Sequence, residues 1–176
     1  MAEYRGYVDI PHTTYQEWRT ATLGNSYDVD GVPILQPFQC WDFASEFWWN
    51  IGFPTGYPIT GGDNARGVWT NREINKGADF ELIYDITLTQ VGDILCFSYG
   101  DYGHIGFLDE SYQPGGYVKL LSQNVSHPYV TSENFGTNTF QGAFRYKTWN
   151  PTPPIASQTK FPWVLYARKL RERRGM

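Results

Sequence analysis

The stretch PFQCWDFASEFWWNIG, residues 37–52, sets a cysteine where an aromatic-rich helix begins. Phe43, Phe47 and Ile51 recur at i, i+4 and i+8, with Ala44 and Trp48 alongside, so one face is a broad apolar stripe. Pro37 keeps the preceding chain out of the helix, and Gly52 is placed to end it. Such a stripe needs a second layer to cover it. Cys40 stands at the first turn, as either a small hydrophobe or a nucleophile.

Upstream, HTTYQEWRTATLG (12–24) reads as a shorter helix. Thr13 or Thr14 caps it, Tyr15, Trp18 and Thr22/Leu23 share a face, and Gly24 stops it. An Asp-, Gly- and Pro-rich loop (25–38) leads into the Cys40 helix. Residues 52–71 are turn-dense, with one helical turn around Ala65–Asn71. The periodicity then changes. FELIYDI, GDILCFSYG, HIGFLDE, GYVKLLSQN and TFQGAFRYKTW are five strand-like runs parted by turn residues. Helix, helix and antiparallel meander make an α+β arrangement. NPTPPIASQTKFP (150–162) is a Pro-rich linker and WVLYARKLRERR (163–174) a basic helix, so the expected division is a domain at 1–149 and a tail at 150–176.

The 176 residues suit one domain with a real core, and 18 Gly, 11 Pro and 18% aromatics argue against a helical bundle. A net charge of −4 gives no reason to expect a nucleic-acid partner. The charge is uneven, since Lys160, Arg168, Lys169, Arg171, Arg173 and Arg174 face only Glu172 across residues 160–176. That segment is either a solvated face or an anchor on anionic polymers or on a partner protein. No apolar run approaches the ~20 residues that span a bilayer. The opening MAEYRGYVDI lacks the basic-then-apolar pattern of a secretory signal, so the expectation is that action outside the cell that makes it depends on release by something else.

A thiolate, not a thiol, attacks a carbonyl, and a helix N-terminus, an imidazolium and accessible surroundings favour it. Cys40 has the first by position. Cys96, in the alternating run DILCFSY, reads as a buried hydrophobe, and both cysteines as free thiols. Among the histidines, His12 precedes the first helix and His127 lies before Pro128 in a loop. His104 opens a strand just after the turn YGDYG, where a side chain can reach over a helix terminus. Asp28 and Asp30, in YDVDG, start like a calcium loop with Gly31 at the sharp turn; the plainer alternative is an Asx-rich surface turn. Trp41, Trp69, Tyr99 and Tyr102 flank these segments, either lining a groove or filling the core.

YDVDG, QCWDF, GDNARGVW, VGDILCF, YGHIGF, LLSQN and GAFRY, in that order over residues 14–147, resemble the cysteine- and histidine-dependent amidohydrolase/peptidases, the CHAP domains of the papain-like group. The likeness is greatest to those of phage endolysins and virion-associated lysins. It implies a papain-like α+β fold, with N-terminal helices on an antiparallel sheet of about five to six strands. It implies hydrolysis of a peptidoglycan amide bond, by an endopeptidase or an N-acetylmuramoyl-L-alanine amidase. Cys40 would be the nucleophile and His104 its base, with the Cys40 amide in the oxyanion hole, Gln39 before it, and Trp41 and Tyr102 toward substrate. Where these lysins carry Glu-Gln-Asn, this chain has Ser122, Gln123 and Asn124; Asn124 is expected to orient His104, with Ser122 the weaker alternative. The resemblance also implies Ca²⁺ held by Asp28, Asp30 and Asp42 with carbonyls of Val32 and Ile34. A catalytically weak structural component of a phage tail or wall assembly, and an acyltransferase, are the alternatives on the same scaffold.

Overall fold

The computed structural model describes residues 13–29, 38–52 and 64–149. His12, Asp30, Val32, Ile34, the turn-dense segment 53–63 and the linker and basic tail lie outside them.

Helix α1 (Tyr15–Thr22) begins at Thr14, whose hydroxyl accepts the Glu17 amide while the Glu17 carboxylate accepts the Thr14 amide. Helix α2 (Cys40–Asn50) opens on the cysteine, and Asp42 accepts the Gln39 amide at 2.7 Å, tying the first turn to the residue before it. Two short helices follow, α3 (Ala65–Thr70) and α4 (Arg72–Asn75). The strands are β1 (Phe80–Ile83), β2 (Ile94–Phe97), β3 (His104–Leu108), β4 (Tyr117–Ser122), β5 (Thr131–Gly136) and β6 (Phe140–Tyr146). They form one sheet in the order β1-β6-β2-β3-β4-β5, with every neighbouring pair antiparallel.

Two features depart from the sequence expectation. The sheet is not a simple meander, because β6 inserts between β1 and β2. β5, which reads TSENFG, is a sixth strand with none of the alternation that marks the others. It pairs with β4 from Tyr117↔Gly136 to Ser122↔Thr131, as an edge strand need bury only one flank.

The sheet's two faces carry separate apolar clusters. Phe43, Phe47 and Trp48 of α2 pack with Trp18 of α1 against Ile94, Cys96, Ile105, Phe107 and Phe144. The ring centres of Phe43 and Phe107 lie 5.2 Å apart, and those of Phe47 and Phe107 5.3 Å. The opposite face gathers Leu95, Phe97, Leu108, Leu120 and Phe135. Alternation along β2 and β3 distributes these residues between the faces. Asp109, just past β3, accepts from Tyr15 Oη at 2.6 Å and from Arg19 Nε at 2.6 Å, pinning α1 to that end of the sheet. Among the described residues, no helix is long and apolar enough to cross a membrane.

Candidate active site

Cys40 and His104 both come to the start of β3, through different devices. Packing of α2 on β3 brings the helix N-terminus to the start of the strand. There the Ile105 amide reaches the Cys40 sulfur, joined by the amides of Trp41 and of Cys40 itself. His104 is carried in by the turn before β3. Arg66 of α3 holds that turn, with its amide on Tyr102 O at 2.9 Å and its guanidinium on Ser98 O at 3.2 Å and Gly100 O at 2.6 Å. Gly103 has φ +76°, and a Cβ there would lie 2.7 Å from the Arg66 amide nitrogen. Only glycine allows that approach.

Both groups are buried, and burial governs their charge. Cys40 is 8% exposed, and desolvation pushes its thiol up to about 11, against the pull of the surrounding amides. Asp42 opposes ionisation as well. His104 is 5% exposed, and desolvation pushes its imidazole down to about 4, with Glu133 acting the other way. The expectation of an ionised, accessible thiolate is therefore corrected: the helix N-terminus is present, but desolvation outweighs it, and both groups rest neutral. No hydrogen bond joins sulfur and ring. The sulfur meets β3 at Ile105, on the α2 side, whereas the ring stacks on Phe135 of the opposite cluster at 4.6 Å. Cys96 is fully buried on β2, and neither cysteine forms a disulfide.

His104 Nε2 lies 3.1 Å from Ser122 Oγ. Asn124 is exposed, has φ 64°, and makes no side-chain hydrogen bond to the ring. Of the two residues expected to orient the histidine, the structure thus brings up Ser122 rather than Asn124. The reason lies in register: Ser122 ends β4 beside β3, while the chain has turned away by Asn124, whose amide donates to His127 O at 2.9 Å.

Gln123 lies between them and is wholly buried. Its Oε1 accepts the Tyr27 amide at 2.8 Å, and its Nε2 donates to Tyr27 O at 2.8 Å and to Gln39 O at 3.0 Å. The sequence reading singled out neither this clamp nor Arg66. The available signal was a long amide side chain at the end of an apolar strand, beside the histidine's partner.

A cavity of about 280 Å³ opens beside the histidine, lined by Tyr99, His104, Asn124, Asn134, Phe135 and Asn138, among others. Tyr99 is exposed into this region, and Tyr102 is exposed nearby on the turn. Trp41 and Trp69 are buried in the helix-side cluster, which decides for the core between the two places left open and corrects the expectation that Trp41 faces substrate. An indole at the start of a helix packed on a sheet buries more apolar area inward than it could along a rim.

Asp28 and Asp42 are buried, and Asp42 joins them: its Oδ1 accepts the Val29 amide at 3.1 Å, from the residue next to Asp28. Among the described residues no group of three or more Asp, Glu, His or Cys is gathered to hold a metal. The two carboxylates present are hard oxygen donors, and they fit Ca²⁺ chemistry.

Comparison with known proteins adds three findings. A family model described as "CHAP domain" matches residues 27–124. The chain is 29% identical over 159 residues to a "D-alanyl-L-alanine endopeptidase" of Streptococcus phage B30, a match covering 83% of this chain and 33% of that protein. The chain thus spans about a third of that relative's length. Among solved structures it is similar to the wild-type endolysin LysIME-EF1, with a TM-score of 0.55 and 17% identity over 92% of this chain and 84% of that one.

Proposed function

The chain belongs to the CHAP domain family, and on that premise we propose that it hydrolyses an amide bond of bacterial peptidoglycan, as a phage lysin does. The observation that carries this reading is the meeting of the Cys40 sulfur with the first peptide of β3, one residue from an imidazole whose far nitrogen is held by Ser122.

The chemistry follows from the neutral pair. The tautomer in which Nε2–H donates to Ser122 Oγ leaves Nδ1 of His104 basic and able to take the thiol proton. Proton transfer requires the ring to leave Phe135 and reach the sulfur, and catalytic contacts commonly tighten only in the complex. The thiolate attacks the scissile carbonyl, and the oxyanion meets the Cys40 amide. His104 then protonates the leaving amine, and water releases the acyl group. Among the described residues, the cavity's lining carries carboxamides and one exposed phenol but no carboxylate or ammonium, which suits an uncharged, amide-bearing stretch of stem peptide or cross-bridge.

Ca²⁺ belongs to the same proposal, as a structural ion on Asp28 and Asp42 with Asp30 and the carbonyls of Val32 and Ile34. It would add charge neutralisation where the loop meets the nucleophile's helix.

The test is digestion of purified Gram-positive sacculi by the protein and by Cys40→Ala. New free amino groups should accumulate with the wild type and vanish in the variant, and mass analysis of the digest should identify the bond. Equal release by both would sink the hydrolase reading.

A further inference from the structure

Gln123 is placed to do more than hold a loop, and the argument starts at the Gln39–Cys40 peptide. The chain contains no cis peptide among its described residues, and a trans peptide is planar. The direction of the Gln39 carbonyl therefore dictates that of the Cys40 N–H, which points the opposite way across the same plane. The carbonyl accepts from within the helix, from the Asp42 amide at 3.1 Å and the Phe43 amide at 3.4 Å. It accepts from outside the helix through Gln123 Nε2 at 3.0 Å. The first two bonds are those any helix makes at its start. The third fixes how that peptide sits relative to the sheet.

Gln123 is suited to the task because its own amide cannot turn. Both Nε2 protons are used, on Tyr27 O and Gln39 O, and Oε1 takes the Tyr27 amide. A rotated amide would set like against like at Tyr27, inside a fully buried site. Ser122, the residue before it, holds the imidazole. One strand end thus carries, at consecutive positions, the group that orients the base and the group that orients the nucleophile's peptide.

We propose that Gln123 is a positioning residue for transition-state stabilisation: by holding the Gln39 carbonyl, it aims the Cys40 N–H at the oxyanion. The inference rests on the reading of Cys40 as the nucleophile of a hydrolase. Oxyanion donors act through preorganised direction, so a modest tilt of the donor costs rate without costing substrate affinity.

The test compares two reactions of one sulfur. Amide hydrolysis passes through an oxyanion, whereas alkylation by iodoacetamide displaces iodide and forms none. Gln123→Glu keeps an acceptor for the Tyr27 amide and loses the donors to Tyr27 O and Gln39 O. With solubilised muropeptides as substrate, it should lower kcat by about 10- to 100-fold with KM little changed. Alkylation of Cys40 at fixed pH, followed by mass spectrometry, should proceed at the wild-type rate. Gln123→Met, similar in length and without hydrogen bonds, should show the same split. Wild-type kcat in a folded variant would overturn the inference, as would hydrolysis and alkylation falling by the same factor. Failure of both variants to fold would reduce Gln123 to a structural clamp and overturn it too. A wild-type protein releasing no amine from any wall would instead remove the hydrolase reading itself, and this inference with it.

Discussion

At His104, burial and charge compete, and the outcome sets how the protein responds to acid. An unfolded histidine takes its proton near pH 6.5, while the buried ring holds it only below about 4. Between those values the unfolded chain binds the extra proton, so folding stability rises with pH through that window and is complete above it. A shift of this size contributes up to roughly 3 kcal/mol. Urea midpoints should therefore fall as pH drops from 6.5 toward 4, and His104→Gln should flatten that part of the curve. An unaltered slope in the variant would assign the acid sensitivity to other groups. A hydroxyl is a sufficient partner for a resting neutral imidazole, which carries no positive charge for a carboxylate to balance. Glu133, on the neighbouring β5, is the carboxylate that still favours the protonated ring, and it is engaged by Ser126 at 2.6 Å and Thr131 at 2.5 Å.

Between elements, the site depends on how closely β3 and β4 approach beneath the histidine. Gly106 makes that approach possible. A Cβ at this position would lie 2.6 Å from Ser122 Cβ and 2.9 Å from Leu121 O, inside contact distance of a strand end whose Leu120, Leu121 and Ser122 are fully buried. Gly106→Ala should destabilise the fold by about 1–3 kcal/mol and push Ser122 off the imidazole, so that activity falls more than stability alone explains. The readout is a urea midpoint alongside amine release; an unshifted midpoint would mean the strands have room to separate. This part of the site was hidden in the sequence. YGHIGF displays a histidine and two glycines, but nothing in it says that the second glycine faces a serine sixteen positions on. The helices were legible because capping, spacing and stops are local: Thr14 with Glu17, Phe43 with Phe47, and Gly24 and Gly52 all act within a turn or two.

For the molecule as a whole, the loop at Asp28 and the start of α2 are joined from two sides, by Asp42 through the Val29 amide and by Gln123 through Tyr27. A cation on Asp28 and Asp42 would tighten this junction, so its removal should be felt globally. Chelator should lower the melting temperature by about 2–4 °C, as a loss of about 1 kcal/mol does in a domain of this size, and added Ca²⁺ should restore it. Asp28→Asn should abolish the response. An identical melting curve with and without chelator in the wild type would remove the ion from the proposal.

The amino-acid sequence by itself determined the α+β class, the places of the first two helices and the seven-motif order. These rest on local preferences and on residue chemistry, which a linear chain carries explicitly. Only the tertiary structure decided that β6 slips between β1 and β2, that TSENFG forms an edge strand, that Ser122 rather than Asn124 meets the imidazole, and that Gln123 grips the peptide ahead of the sulfur. Each depends on which distant segments desolvate one another, and the free energy of burial belongs to the assembled contact, not to either segment alone.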